Sequence, residues 1–238
     1  ITHELRGIGA PVETWNRSAG PAADHIGPLP RTLSGRVWLL TVSDVAVADL
    51  AERLAEEVNY EYPPTVLHCA GRLGIDVLEP LAKKGCATGV WHPLQAISGR
   101  GDDLSDTWAV GLGHERALDE GRELATSLGA QFVERKTDDA AAYHGAAVLS
   151  ANFVTTLAEA GTSLMIGLGI EPESAHGMLQ QLIEGTIRNL RHAAPADALT
   201  GPYSRRDFEA ITAHVVAFKH RAPHILEVYR ALGRQTAR

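Results

Sequence analysis

The chain has 238 residues, 45% of them hydrophobic and 21% charged, enough for a packed core in one large or two small domains and too apolar for a disordered chain. A formal net charge of −7 argues against a dedicated nucleic-acid binder, which carries a basic face. Two cysteines, Cys69 and Cys86, make no disulfide framework, and no apolar run reaches the roughly 18–20 residues that span a membrane, so a reducing cytoplasm is expected, with no signal peptide visible.

Residues 2–9 read as the back half of an amphipathic helix ending at Gly7 or Gly9. "PVETW" (11–15) reads as a strand, "NRS" (16–18) as the loop after it, and the Pro/Gly-containing stretch 20–35 as an irregular connection. "VWLLTVS" (37–43) is a continuous apolar run, as expected of a strand buried on both faces. Val47, Leu50 and Leu54 then mark a helix over 47–57. "TVLHCAG" (65–71) predicts the next strand, and "IDVLEPLAKKG" (75–85) a helix stopped by Gly85 despite Pro80 inside it. Strands follow at 87–93 and 107–113, a helix at 115–130 and a closing strand at 131–136. Alternation at this spacing predicts a mostly parallel, doubly wound sheet.

After Lys136 no further strand is predicted. One long helix is expected from Asp138 or Asp139 to about Gly167, with Leu149, Phe153, Leu157, Ala160 and Leu164 in a stripe. A second begins near Pro172, and a third follows "TGPYSRRD", where Ser204 and Asp207 have the spacing of a capping-box variant. Pro223 kinks or divides the last region. The expected organisation is an α/β domain over 1–136 and an all-α domain over 137–238. The apolar stripes of the long helices exceed what one small helical layer buries, which predicts a homodimer through the C-terminal helices.

The ordered set "WNRS", "LLTVSD", "VLHCAGRLGIDVLEPLAKKG", "ATGVWHPLQAISG", "DDAAAYHGAAVLSANF" and "ALTGPYSRRD" resembles a known family. It is similar to the Rossmann-like proteins that carry a helical C-terminal domain of unknown function. Those are themselves related to ketopantoate reductases, pyrroline-5-carboxylate reductases and 6-phosphogluconate dehydrogenases. The resemblance runs from about Leu5 to about Leu232; the "HCAG…HPL" pair and the "TGP" turn are its more specific parts. It implies a Rossmann-like, here incomplete, parallel sheet followed by an all-α domain, with NAD(P)-dependent reductase or dehydrogenase activity on a small-molecule substrate. The implied first strand and G-x-G-x-x-G turn, roughly a dozen residues, are not in this sequence. "GIG" (7–9) follows a helix rather than a strand and does not replace them. Either an N-terminal piece is missing from the sequence, or the protein lacks it and no longer binds a dinucleotide in the usual way. This chain is expected to bind one poorly. The alternative to the enzyme is a degenerate, non-redox relative that binds a small molecule or a protein.

In such a fold the loop after the second strand meets the adenosine ribose. Asn16, Arg17 and Ser18 offer one cation and two hydrogen-bonding side chains there, which suits the 2′-phosphate of NADP; the plain alternative is a polar turn. Ligands sit off the carboxyl ends of the strands, so Ser43, Asp44, Ala70 and Gly71 are further cofactor-binding candidates. Ser43 or Asp44 can also cap the following helix. His68 reads as a satisfied core histidine and Cys69 as a small buried hydrophobe.

His92 ends a strand directly before Pro93, so its backbone is restricted. Prephenate-type dehydrogenases have a His-Pro at a similar point near the substrate. By that resemblance His92 binds or polarises a substrate hydroxyl or carbonyl; otherwise it holds a loop carbonyl. His144 and Asn152 lie on one face of the expected long helix, with the two-turn spacing, about 12 Å, of the Lys and Asn of ketopantoate reductases. They are candidates for general acid and carbonyl anchor, against the reading that Tyr143 and His144 pack on the α/β domain. Arg205 and Arg206 reach an anionic substrate or are solvated. His220 and His224 are four apart, but Pro223 intervenes and no third ligand is at hand, so no metal is expected.

Overall fold

The computed structural model describes residues 1–20, 23–97 and 103–237, which divide into two compact units, Ile1–Val148 and Leu149–Arg238. Residues 21–22 of the expected connection and Ser98–Gly99 of the "HPLQAISG" motif lie outside the described residues.

Helix α1 (Thr2–Gly7) opens the first unit, and Gly9 follows in the left-handed region at φ 79°. Strand β1 (Trp15–Asn16) pairs in parallel with β2 (His25–Ile26). The two are joined by Asp24, whose carboxylate accepts from the Thr14 amide and hydroxyl at 2.8 Å each and pairs with Arg6. The strand expected over 11–15 is therefore two residues long, and the supposed loop 20–35 contains its partner. β2 is the one strand that β1 pairs with among the described residues, so little ladder exists to extend it.

The main sheet comprises β3 (Val37–Leu40), β4 (Thr65–His68), β5 (Ala87–Pro93), β6 (Trp108–Gly113) and β7 (Gln131–Glu134), in that spatial order. Helices α2 (Val47–Glu57), α3 (Glu79–Ala82) and α4 (Glu115–Ser127) connect them. β3, β4 and β5 are parallel, as are β6 and β7. β5 and β6 are antiparallel, Val90 facing Leu112. The described residues of the 94–107 connection form no crossover helix, which a parallel pair would need. α4 supplies the crossover that makes β6 and β7 parallel.

The helix expected over 75–85 is a 3₁₀ turn, Ile75–Leu78, followed by the single turn of α3, in which Pro80 stands at the start. Pro lacks an amide that the first turn would leave unpaired anyway.

Side chains alternate across the sheet, and both faces are covered. Val66, Trp38 and Leu40 pack with Val47, Leu50, Ala51 and Leu54 of α2. Leu67, Trp91 and Ala109 pack with Ala117 and Ala125 of α4, with Leu5 of α1 partly buried beside them. Each fully buried leucine contributes about 1.5–3 kcal/mol, which is why these strands read as unbroken apolar runs.

Helix α5 (Ala140–Ser150) lies mostly within the first unit, and α6 (Asn152–Gly167) begins the second. Ala151, at φ −122° and ψ −70°, leaves helical geometry, so the single helix expected over 138–167 is two. Ser150 and Asn152, which flank the break, compete for backbone hydrogen bonds and are weak helix formers. The second unit continues with α7 (Pro172–Leu190), α8 (Pro195–Ala198), α9 (Gly201–Arg205), α10 (Phe208–Arg221) and α11 (Pro223–Thr236). Pro223 divides the last region as its chemistry requires. The capping-box expectation is corrected: Ser204 donates to the Gly201 carbonyl, and Asp207 itself caps α10, accepting from the Ala210 amide at 3.0 Å. Arg205 ends α9, and Arg206 takes the left-handed region at φ 55°. No helix among the described residues is long and apolar enough to cross a membrane.

Candidate active site

His92 is the penultimate residue of β5, and its imidazole lies face-on over Gly71. A Cβ at Gly71 would stand 2.7 Å from Nε2, 2.8 Å from Cε1 and 3.0 Å from Cδ2. A backbone without a side chain is thus what admits the ring. Nδ1 of His92 lies 2.7 Å from the Tyr143 hydroxyl, with the two rings nearly perpendicular. Tyr143 is held by the first turn of α5, where Asp139 Oδ1 accepts the Ala142 amide at 2.9 Å.

Arg135 follows β7. Its guanidinium carbon lies 5.0 Å from the centre of the Tyr143 ring. Its side chain is 11% exposed, and Nη2 meets Asp138 at a long 3.4 Å. Nη1 is buried without a hydrogen-bond partner among the described residues. The aromatic face of Tyr143 offsets part of that cost through a cation–π contact.

Two further contacts fix the loops below. His68 is fully buried; Nε2 donates to the Gly74 carbonyl at 3.0 Å and Nδ1 accepts the Ala70 amide at 3.2 Å. Those partners set its tautomer and clamp the turn 70–74. Arg72 donates to Asp44 at 2.8 Å, joining the loops after β4 and β3.

Burial holds the His92 imidazole below its usual pKa, with His144, His68 and Arg135 adding to the effect and Asp44 opposing it. Burial also lowers His68 and raises Tyr143, while Arg135 pulls Tyr143 back down. His92 and His68 are therefore neutral at neutral pH. The Cys69 thiol, pushed up to about 12 by burial, is inert.

A pH dependence follows. With folded pKa values below the unfolded 6.5 of His68 and His92, the unfolded chain takes up protons that the folded chain refuses. Stability should be full above pH 6.5 and fall as the pH drops towards the folded values. Each group contributes at most about 1.4 kcal/mol per pH unit over that range. Urea midpoints at a series of pH values check this; a midpoint flat from pH 7 to about 5 would contradict it.

The structure thus gathers four sequence candidates in the first unit: His92, Gly71 beneath it, Asp44 against Arg72, and His144 within electrostatic reach of His92. Ala70 serves His68. Ser43 stands at the cap position of a 3₁₀ turn, Asp44–Ala46, without a side-chain capping bond, so the capping role is not taken up. Asn16 ends β1; Arg17 and Ser18 are exposed after it. Arg17 makes no ion pair with a described residue. Asn152 is the first residue of α6, separated from His144 by the Ala151 break, so no continuous helix sets the spacing between them. Tyr143, Arg135 and Arg72 carry the site without having been singled out as functional; a tyrosine on an Ala-rich helix was the one available signal. In the second unit, Ser163, His220, Arg221 and His224 line a separate cleft of about 350 Å³, the two histidines falling on α10 and α11.

Two family models match the chain: a Rossmann-like domain over residues 13–93 and a domain of unknown function, DUF2520, over residues 108–236. No curated protein matches it. Among solved structures, it is similar to the "putative NADP oxidoreductase" of Bacteroides fragilis, with a TM-score of 0.78 at 19% identity over 99% of this chain and 92% of that one. A Thermotoga maritima protein gives 0.73 at 21% identity, over 94% and 89%. Plasmodium falciparum pyrroline carboxylate reductase with NADP bound gives 0.62 at 10% identity, over 100% and 93%. At these identities the likeness is one of fold.

Proposed function

Because the chain belongs to the family of the DUF2520 domain, which covers more than half of it behind a Rossmann-like domain, we propose that it is an NADP-dependent oxidoreductase. Its substrate is a small carbonyl, imine or hydroxy compound. The observation that carries this reading is the His92–Tyr143 pair, a half-buried hydrogen-bonding couple seated over Gly71 at the end of a sheet strand. Strand ends of this kind are where α/β proteins hold ligands.

The bound dinucleotide supplies or takes the hydride. Arg17 and Ser18, exposed after β1, fit its 2′-phosphate, since the Arg17 cation is not engaged by a described carboxylate. The Asp44–Arg72 bridge and the Ala70–Gly71 backbone hold the loops of the strand ends in place. His92, kept neutral by its surroundings, hydrogen-bonds the substrate oxygen or nitrogen.

The test is titration of full-length protein with NADPH and NADH. Arg17→Ala should weaken NADPH by tenfold or more, from the loss of a charge-assisted bond worth about 1.5–3 kcal/mol, and leave NADH unchanged. Equal loss for both would remove Arg17 from the phosphate site. Failure of both nucleotides to bind would remove the oxidoreductase reading.

A homodimer through the helical unit belongs to the same proposal. Phe208 is 71% exposed, Leu182 65%, Leu149 63% and Phe153 51%. Apolar side chains of that size left open mark an interface, and a second copy of the chain is the commonest occupant. Light scattering should give twice 25.5 kDa, and Leu182→Glu should return the monomer mass. A wild-type monomer at micromolar concentration would sink the dimer.

A further inference from the structure

We propose that Tyr143 and His92 form a two-member proton relay, with Arg135 holding the charge left at its far end. The inference rests on the oxidoreductase reading and deepens it by assigning the proton.

Three positions on separate elements converge. His92 is next to last in β5, Tyr143 lies on α5 and Arg135 follows β7. The 2.7 Å contact joins the Tyr143 hydroxyl to Nδ1, and Nε2 makes no hydrogen bond to a described residue, so Nε2 is the ring nitrogen left for a substrate. The ring plane is set by Gly71 beneath it. A tyrosine that merely packed would not need a cation on its face. Here a guanidinium lies 5.0 Å from the ring centre, with one nitrogen unpartnered among the described residues and its carboxylate neighbour at a weak 3.4 Å. Its charge is thus left to act on the phenol.

The step balances as follows. As a hydride from the reduced dinucleotide reaches the substrate carbon, the carbon–oxygen or carbon–nitrogen π bond breaks onto its heteroatom. That atom takes the proton from His92 Nε2. Nδ1 takes the Tyr143 proton, so the imidazole stays neutral with its tautomer exchanged. The phenolate beside Arg135 then takes its proton back from Nδ1 as Nε2 is reprotonated from water, which restores both groups. The nicotinamide is oxidised and the substrate reduced; reversal gives the oxidation. The pair avoids a free imidazolium, which burial opposes first and His144, His68 and Arg135 oppose further, while Asp44, from the loop after β3, favours it.

The experiment reads the nitrogen chemical shifts of His92, assigned through His92→Asn, in the whole chain without added nucleotide. In the wild type Nδ1 should be the acceptor and Nε2 the protonated atom. Tyr143→Phe should give a tautomer mixture. Arg135→Gln should raise the Tyr143 titration midpoint, followed at its ring carbon, by about 1, and Arg135→Lys should recover part of that. An unchanged tautomer in Tyr143→Phe, or an unmoved midpoint in Arg135→Gln, overturns the relay. In full-length enzyme, loss of NADPH absorbance against small aldehydes, ketones and cyclic imines gives the second readout. Tyr143→Phe should lower kcat about 100-fold with KM within about twofold; an unchanged kcat also overturns the relay. The shifts as expected, with no turnover of any probe, overturn the oxidoreductase reading instead.

Discussion

Gly113→Ala should destabilise the Ile1–Val148 unit by about 3 kcal/mol or more. Gly113 ends β6 at φ +153°, a region L side chains rarely take. A Cβ there would stand 2.5 Å from the Thr88 carbonyl oxygen and 2.6 Å from the Gly89 Cα. Both atoms are backbone of β5, Gly89 being the residue in register with Gly113 across the antiparallel pair, so neither can withdraw without opening the ladder. Gly111 is the control. A Cβ at Gly111 would strike the tip of the Phe132 ring, a side chain that can swing, and its backbone is not in the left-handed region. Its alanine variant should therefore cost less, about 1–2 kcal/mol. Urea denaturation of the two variants decides it; Gly113→Ala no worse than Gly111→Ala would mean that the close approach of β5 and β6 relaxes at little cost.

That pair of strands also marks where the sequence stops being legible. α2 and β5 match their expected bounds because each is decided locally: an apolar period of 3.6 in one, an unbroken apolar run between turn residues in the other. The direction of β6 is not written in β6. It depends on whether the preceding connection contains a crossover helix, and the described residues of 94–107, which form none, carry no signature that says so. The break at Ala151 was hidden for a related reason. Alanine is the best helix former, and the apolar stripe from Leu149 to Leu164 runs through it without a change of period. At the site, His92 was readable because Pro93 fixes it at a strand end. Tyr143 stands 51 residues away from it, and Arg135 comes from the segment after β7. Their meeting is a product of tertiary packing, which spacing along the chain does not encode.

Gly71→Ala tests the site with little disturbance to the fold. Gly71 does not use the left-handed region, so alanine costs no backbone strain there. Its methyl would instead meet three atoms of the His92 ring, which sits at the end of a rotatable side chain and can move. Movement is the cheap response, so the stability loss should stay near about 1 kcal/mol. Yet the ring cannot tilt off Gly71 and keep Nδ1 2.7 Å from the Tyr143 hydroxyl, because Tyr143 is fixed by α5 and by Arg135 over its ring. The expected result is a protein with a nearly normal urea midpoint, a His92 that no longer shows a single tautomer and, on the proposed oxidoreductase activity, a hydride-transfer rate about 100-fold down, the usual cost of displacing a reacting group by about 1 Å. Serine at the same position should behave like alanine, since its Cβ meets the same ring. A Gly71→Ala enzyme with unaltered His92 shifts and full turnover would mean that the imidazole has room the geometry does not give it, and that the seat on Gly71 does not position it.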